Sequence, residues 1–188
     1  MELTGFKESA LAQVNCFDWP DVCKKANVTR YPMIKLYRGT NEVVEYGGVL
    51  DEASFLKFYL LYSVSSPIIM TKEQEGREFM AADFPSWTSK YLGAVTIGIF
   101  PERKSEEWLI FNKVAGELRG RYLMASCMGN CAKTLASEIG GSEAVVVTIK
   151  WEDVNQPEVI YDQPFSFSSL EKFVLESSEK ILPELTMI

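Results

Sequence analysis

Histidine is absent from this chain of 188 residues. Without an imidazole, the sequence excludes Ser-His-Asp and Cys-His nucleophilic sites, histidine general bases and histidine-containing metal sites.

Clustered positive charge and long apolar runs are missing as well. The 19 Lys and Arg residues are outnumbered by 26 Asp and Glu, and the net charge is -7. We therefore expect no nucleic-acid partner, since phosphate binding needs clustered Lys and Arg. No apolar run approaches the ~20 residues that span a bilayer, so we expect no membrane span. The start, Met-Glu-Leu-Thr-Gly, does not read as a signal peptide, and any secretory address would lie outside this chain.

The composition that remains is that of a globular protein, with 47% hydrophobic and 24% charged residues. A length of 188 residues fits one large domain or one and a half small ones.

Several segments of the chain recur at one fixed offset. Ile34-Lys35 falls on Ile149-Lys150, an offset of 149 − 34 = 115 residues. The same offset brings Val44 onto Val159, Tyr46 onto Tyr161, Ser54 onto Ser169, Lys57 onto Lys172, Phe58 onto Phe173 and Leu60 onto Leu175. A common offset across two strands and a helix favours a repeated domain.

The repeat predicts one complete domain over residues 64–188, preceded by the C-terminal part of another over residues 1–63. If the second repeat begins near Pro67, the first would begin at 67 − 115 = −48, before this chain. We therefore expect a piece of a longer protein or a short isoform.

The second repeat reads as an α/β domain with a mixed sheet and the order βαβαβαββα. Ala94–Phe100 is a β-rich run ended by Pro101, Ser105 can cap the next helix, and a helix over Glu73–Tyr91 is interrupted at Pro85. The other expected elements are strands at Pro67–Met70, Leu123–Ser126, Ala144–Trp151 and Glu158–Tyr161, and helices at Lys133–Ile139 and Ser168–Leu182.

The first repeat shows only the later part of that order. Its expected elements are a strand at Ala10–Val14, a short helix capped by Asp18, a hairpin of Met33–Tyr37 with Val43–Tyr46, and a helix at Glu52–Tyr62. Because a sheet without its first two strands leaves apolar surface uncovered, we expect residues 1–63 to fold poorly alone.

The first repeat contains Val14-Asn15-Cys16, Cys23, residues 28–37 and Tyr46-Gly47-Gly48. On these residues it resembles the C-terminal half of a thioredoxin domain of the protein disulfide isomerase family, in which Pro32 would be cis. Residues 95–118 are similar to the redox-inactive domains of the same family. The resemblance implies a thioredoxin-like mixed sheet flanked by helices.

The family's Cys-x-x-Cys is absent from all 188 residues. Its place in the second repeat, residues 101–108, holds no cysteine, and in the first repeat it would precede this chain. We therefore expect no catalytic residue, no cofactor, no metal and no enzymatic activity, but a binding or scaffold module. The alternatives are a piece of a thiol-disulfide oxidoreductase whose Cys-x-x-Cys lies upstream, and a truncated isoform without stable function. The offset also places Val147 opposite Pro32, so the second repeat would lack the cis-proline.

The four cysteines form two candidate pairs. By resemblance Cys16 and Cys23 form a structural disulfide, with two reduced thiols as the alternative. Cys127 and Cys131 flank a flexible turn, so a disulfide and two free thiols are equally compatible with the sequence. Neither spacing matches a zinc site.

Three further features have both a functional and a structural interpretation. Asn27-Val28-Thr29 is a glycosylation sequon, which is either an accidental triplet or, in a secretory protein, a glycosylated site. The acidic residues Glu102, Glu106 and Glu107 would bind calcium weakly or form a solvated helix face. Four aromatic residues would either line a peptide-binding groove or belong to the domain core: Trp87, Trp108, Phe111 and Trp151.

The resemblance also implies a location and partners. It places the protein in the endoplasmic reticulum lumen or outside the cell, with other folding factors of that compartment or unfolded polypeptide as partners.

Overall fold

The computed structural model describes residues 10–39, 42–102, 104–139, 144–151, 153, 155 and 157–178. The chain divides into two compact units, Met1–Ser63 (unit 1) and Val64–Ile188 (unit 2). Within the described ranges, no helix is long and apolar enough to cross a membrane.

The described residues of unit 1 form a two-stranded antiparallel sheet and two helices. Its elements are α1 (Pro20–Lys25), β1 (Lys35–Arg38), β2 (Glu42–Glu45) and α2 (Glu52–Ser63).

Two expectations for unit 1 were wrong. Residues 10–15 do not form a strand, because a strand needs a hydrogen-bonded neighbour, and β1 and β2 pair only with each other in the described part of this unit. Asp18 does not cap α1: Trp19 occupies the N-cap without a side-chain hydrogen bond, and Asp18 instead accepts a hydrogen bond from Nδ2 of Asn15 at 2.7 Å.

Unit 2 has the expected α/β architecture. Its elements are β3 (Ile68–Met70), α3 (Glu73–Met80), α4 (Thr88–Tyr91), β4 (Ala94–Phe100), α5 (Glu106–Glu117), β5 (Met124–Met128), α6 (Asn130–Ile139), β6 (Val145–Lys150), β7 (Glu158–Ile160) and α7 (Phe167–Ser178).

The sheet of unit 2 has the strand order β3-β5-β4-β6-β7. β5 is parallel to β3 and β4, whereas β6 is antiparallel to β4 and β7. This mixed sheet flanked by helices confirms the predicted thioredoxin-like fold. The interruption at Pro85 is also present, since α3 ends before this proline and α4 begins after it.

The core of unit 2 lies between β4, α5 and α7. Phe100, Phe111, Val114, Leu170 and Val174 are fully buried in one cluster. A Cβ atom at Gly98 would lie 2.5 Å from a ring carbon of Phe100 and 2.9 Å from one of Phe111. A glycine at this strand position therefore lets the two rings pack against the sheet.

From the last strand onward, both units follow the 115-residue offset in detail. The bounds of α7 are those of α2 shifted by 167 − 52 = 115 and 178 − 63 = 115. Oη of Tyr46 donates to the carbonyl oxygen of Val49 at 2.6 Å, and Oη of Tyr161 donates to that of Pro164 at 2.7 Å. The repeat is therefore present in side-chain hydrogen bonds as well as in the order of elements.

For the strands before the hairpin turns, β1 and β6, the offset between equivalent residues is instead 112. The backbone N–H of Tyr46 donates to Ile34 at 2.9 Å, and that of Tyr161 donates to Val146 at 2.8 Å, so that 146 − 34 = 112. The β6–β7 connection is thus three residues longer than the β1–β2 connection. The counterpart of Pro32 is residue 32 + 112 = 144, an alanine, and the placement of Val147 opposite Pro32 was wrong.

Candidate functional site

The disulfide between Cys16 and Cys23 joins the segment before α1 to α1 itself. Their Cα atoms are 5.7 Å apart, within the usual range for a disulfide. Cys16 is partly exposed, whereas Cys23 is only 6% exposed. Of the two residues, Cys16 is therefore the more accessible to a molecule in solution.

The helix that carries Cys23 ends at a residue in the left-handed conformation. Asn27 has a φ of +52°, and the N–H of the following Val28 donates to the carbonyl oxygen of Cys23 at 2.9 Å. This arrangement is a Schellman motif, in which asparagine is among the residues that tolerate a positive φ. Nζ of Lys35 donates to the carbonyl oxygen of Asn27 at 3.4 Å. Asn27 is exposed, and its glycosylation stays a prediction.

Exposed aromatic side chains follow Cys16 and precede Pro32. Phe17, next to Cys16, is 92% exposed, and Trp19 at the start of α1 is also exposed. Tyr31 is 73% exposed and precedes Pro32 through a cis peptide bond. The sequence did not indicate the exposure of these aromatic residues, because Phe and Trp side chains are usually buried.

The second disulfide, between Cys127 and Cys131, joins the end of β5 to α6. The Cα atoms are 5.5 Å apart and both residues are fully buried. A Cβ atom at Gly76 of α3 would lie 2.8 Å from Sγ of Cys131, so α3 packs directly against the bond. Of the two options that the sequence left open, the structure has the disulfide.

The two disulfides have similar connections. Each joins the residue or strand that precedes a helix to that helix, with a sequence separation of 7 in unit 1 and of 4 in unit 2. They differ in exposure, since only the unit 1 bond has a partly exposed cysteine.

The remaining candidate residues belong to structural elements of unit 2. Oγ of Ser105 accepts a hydrogen bond from the N–H of Trp108 at 3.2 Å and caps α5. The nearby Glu102, Glu106 and Glu107 do not belong to any metal-binding cluster of three acidic, Cys or His residues in the part of the chain that the structure describes.

The candidate aromatic groove is instead part of the packed interior. Phe111 is fully buried and Trp87 nearly so. Nε1 of Trp108 donates to Oγ of Ser126 at 3.2 Å, and Nε1 of Trp151 donates to the carbonyl oxygen of Met80 at 2.9 Å. These contacts favour the structural interpretation of all four residues.

Comparisons with known proteins find similarity to thioredoxin domains and to protein disulfide-isomerases. The thioredoxin family model matches residues 2–60. Thioredoxin domain-containing protein 16 of Homo sapiens is 32% identical over 120 residues, which cover 64% of this chain and 14% of that protein. The protein disulfide-isomerase of Humicola insolens is 24% identical over 179 residues, which cover 95% of this chain and 32% of that protein. The chain thus spans a third or less of the length of these relatives.

A solved structure shows the shared fold. The first two thioredoxin domains of Naumovozyma dairenensis Eps1p superpose with a TM-score of 0.54 at 16% identity, covering 92% of this chain and 77% of that chain.

The expectation that this chain is not an enzyme is corrected by these comparisons. Three fungal relatives that match 95% of the chain are protein disulfide-isomerases. The chain also carries the Cys16–Cys23 disulfide, and disulfides are the groups that thiol–disulfide exchange converts. Both findings contradict the expectation of a non-enzyme that the missing Cys-x-x-Cys had suggested. The fold, the family match over residues 2–60 and these relatives show that the chain is similar to thioredoxin-like proteins of the protein disulfide isomerase family.

Proposed function

We propose that this chain takes part in thiol–disulfide exchange on polypeptides, as a module of a larger oxidoreductase, and that Cys16–Cys23 is its exchangeable pair. The observation that carries the proposal is the difference in exposure between the two disulfides. Cys16 is partly exposed, whereas Cys127 and Cys131 are fully buried. Since exchange requires an incoming thiolate to reach a disulfide sulfur, only the first bond is open to it without local unfolding.

The exchange proceeds in two displacements. A thiolate of the substrate attacks Sγ of Cys16, the Cys16–Cys23 bond breaks, and Cys23 leaves as a thiolate that takes up a proton from water. A second substrate thiolate then attacks the substrate sulfur of the mixed disulfide and releases Cys16 as a thiolate. The substrate dithiol is oxidised to a disulfide, and the protein pair is reduced by the same two electrons.

The proposed substrates and partners are unfolded polypeptides or other folding factors of the endoplasmic reticulum. The exposed Phe17 and Trp19 support this proposal, because aromatic side chains one and three residues after Cys16 offer apolar contacts to a polypeptide. The relatives, which are protein disulfide-isomerases, support a location in that compartment or in the secretory pathway.

Insulin reduction by dithiothreitol tests the proposal. We expect the chain to accelerate the reaction and the double variant Cys16→Ser, Cys23→Ser to lose the acceleration. The matched control is Cys127→Ala, Cys131→Ala, which we expect to keep it. Amide exchange in α2 and β6 of each variant checks that both units stay folded. If the first double variant is folded and as active as the unchanged chain, the exchangeable pair lies elsewhere.

A second candidate is that the catalytic Cys-x-x-Cys belongs to a longer parent protein, upstream of this chain. It is favoured by the absence of that motif from all 188 residues and by the 32% coverage of the fungal relative. In that case the chain alone has no activity in the insulin assay, and a parent protein with both cysteines of its upstream motif replaced by serine loses activity.

Glycan mapping after secretory expression tests the proposed location. We expect a glycan on Asn27, absent from Thr29→Ala and retained in Thr29→Ser. These two variants leave Asn27 at the end of α1 unchanged, which Asn27→Gln would not. An unglycosylated Asn27 in the secreted chain would remove this support for a secretory location.

A further inference from the structure

The Cys127–Cys131 disulfide lies in a closed part of the core of unit 2. On the strand side, Cys127 of β5 is aligned with Met70 of β3 and Ile99 of β4, and aligned residues of neighbouring strands point to the same face of a sheet. All three residues are at most 1% exposed. The side chain of Cys127 therefore has packed neighbours on both strands beside it.

On the helix side, α3 makes room for the bond with a glycine. A Cβ atom at Gly76 would lie 2.8 Å from Sγ of Cys131 and 2.7 Å from Cδ1 of Leu135. Gly76, Cys131 and Leu135 are all buried. Two separate thiols need more room than two bonded sulfurs, because atoms that are not bonded stay a van der Waals contact apart. The packed surroundings therefore fit the bonded pair and leave little space for two thiols.

The start of α6 and the strand β5 are held firmly in place. The N–H of Cys131 donates to the carbonyl oxygen of Thr71 at 3.1 Å, which ties the beginning of α6 to the end of β3. The strand β5 lies inside the sheet, between β3 and β4. Neither element can move away from the sulfurs without breaking backbone hydrogen bonds of the sheet or of this junction.

Exposed polar side chains hold α3 to α6. Arg77 forms an ion pair with Glu138, and their side chains are 49% and 44% exposed. Oγ1 of Thr134 donates to Oε2 of Glu73 at 3.2 Å. Exposed ion pairs contribute little to stability. Of the elements around the bond, α3 is therefore the one that yields most easily.

Both ends of α3 are fixed to the rest of unit 2. Its first residue, Glu73, follows the last residue of β3, Met70, after only two residues, and the carbonyl oxygen of Met80 at its other end accepts a hydrogen bond from Nε1 of Trp151 at 2.9 Å. A helix that is fixed at both ends yields to pressure on its middle by opening its own hydrogen bonds.

We propose that the Cys127–Cys131 bond is a redox-sensitive clamp on α3, which is packed while the bond is intact and loosens when the bond is reduced. This goes beyond the proposed exchange at Cys16–Cys23 and does not depend on it. A dithiol is the reductant. One of its thiolates attacks a sulfur of the bond and releases the other sulfur as a thiolate, and its second thiolate then displaces the protein sulfur from the mixed disulfide.

The dithiol ends as a disulfide, the protein pair gains the two electrons, and both cysteine thiolates take up protons from water. The separated thiols then press on Gly76, and the hydrogen bonds in the middle of α3 open.

Amide exchange in α3 before and after reduction is the first test. We expect the amides of Arg77, Glu78 and Phe79 to exchange at least about tenfold faster once dithiothreitol has reduced the bond, while those of β6 change little. Alkylation and peptide mass spectrometry of Cys127 and Cys131 verify the reduction. Unchanged exchange in α3 would overturn the proposal. Equal acceleration in β6 would also overturn it, because unit 2 would then unfold as a whole.

The matched control is Cys127→Ala, Cys131→Ala in the same dithiothreitol. This variant lacks the cross-link, as the reduced chain does, but it also lacks the two sulfurs. We therefore expect exchange in its α3 to stay within about threefold of that in the oxidised chain. The Cys16–Cys23 bond is reduced in both samples and does not contribute to the difference. If the variant loosened α3 as much as reduction does, loss of the cross-link alone would be the cause and the proposal would be wrong.

A second test uses the oxidised chain. Gly76→Ala adds a methyl group against Sγ of Cys131, which the bond holds in place, and should accelerate exchange in α3. In the Cys127→Ala, Cys131→Ala background the same substitution should accelerate it at least about fivefold less, because Cδ1 of Leu135 ends a flexible side chain and can move aside. The helix propensity of alanine is the same in both backgrounds and cancels. Equal effects in the two backgrounds would show that the sulfur does not press on α3 and would overturn the proposal.

Discussion

Units 1 and 2 share their last strand, turn and helix, yet they bury these elements to different extents. Tyr46 and Tyr161 are each 7% exposed, each donates to the carbonyl oxygen three residues later, and each contacts an equivalent phenylalanine of the following helix. Further along, Phe55 is partly exposed where Leu170 is fully buried. The local cluster around the tyrosine is thus complete in either unit. Burial of the helix requires a strand and a helix that unit 2 contains and the described part of unit 1 does not.

The largest difference that we expect concerns the two disulfides. In dithiothreitol, the Cys16–Cys23 bond should be reduced about 100-fold faster than the Cys127–Cys131 bond, since the buried bond reacts only after a local opening that costs about 3 kcal/mol. Alkylation at timed intervals followed by peptide mass spectrometry measures both rates in one sample. In denaturing guanidinium the two rates should converge, and equal rates in the folded protein would contradict the comparison.

A substitution at equivalent positions of the two helices gives the next largest effect. Leu170→Ala should lower the free energy of unfolding of unit 2 by about 3 kcal/mol, because it leaves a cavity in the core. Phe55→Ala should cost unit 1 only about 1 kcal/mol, because part of the ring is already in water. Amide exchange in α7 measures the free energy of unfolding of unit 2, and amide exchange in α2 measures that of unit 1. A larger loss at Phe55 than at Leu170 would show that unit 1 has its own complete core.

The tyrosine cluster should lose stability in both units, and slightly more in unit 2. Tyr46→Phe and Tyr161→Phe each remove one hydroxyl that donates to a backbone carbonyl, and each should cost about 1 kcal/mol. Unfolding in guanidinium, monitored by amide exchange in each unit, gives the two changes in the free energy of unfolding. Tyr161 also hydrogen-bonds Oγ of Ser169 at 2.6 Å, so its loss should be the larger of the two. A negligible effect in unit 1 alone would show that its cluster is not formed in solution.

The smallest effect concerns the helix caps. Oδ1 of Asp51 accepts a hydrogen bond from the N–H of Ser54 at 2.9 Å, and at the equivalent cap Oγ of Ser166 accepts one from the N–H of Ser169 at 3.2 Å. The backbone and side-chain hydrogen bonds from Ser54 lower the pKa of Asp51 below its ordinary value.

Because the folded pKa of Asp51 is the lower one, its stabilisation is present above the unfolded pKa and is lost as the pH falls through the folded pKa. Amide exchange at Ser54 should therefore accelerate in acid more than exchange at Ser169, after correction for the intrinsic rates. Asp51→Asn should remove this difference between the exchange rates at Ser54 and Ser169. The prediction would be contradicted if NMR showed Asp51 titrating at its ordinary pKa.

Much of unit 2 is predictable because its elements are long and carry their own signals. The β-rich run ended by Pro101 forms the central strand, and the serine at position 105 caps the next helix as expected. The expected strand at Ala10–Val14 does not form, because strand formation depends on a distant partner that local composition does not report.

The candidate site was predictable only in part. The resemblance implied the Cys16–Cys23 pair, and the sequence left Cys127 and Cys131 open, because two cysteines four residues apart do not reveal whether their side chains converge. The exposure of Phe17 and Trp19 is also invisible in the sequence, since both types are usually buried. The absence of a Cys-x-x-Cys led to the wrong conclusion on activity, because exchange depends on how accessible a disulfide is and not on cysteine spacing alone.

The longer β6–β7 connection has a consequence for any residue compared between the units. Because successive side chains of a strand alternate between its faces, a shift of three positions moves each side chain to the opposite side of the pleat. Matching Lys35 with Lys150, as their identity suggests, therefore pairs residues on opposite faces, whereas the register pairs Lys35 with the fully buried Val147. A substitution transferred from one unit to the other through the identical lysines would place its side chain on the wrong face of the sheet.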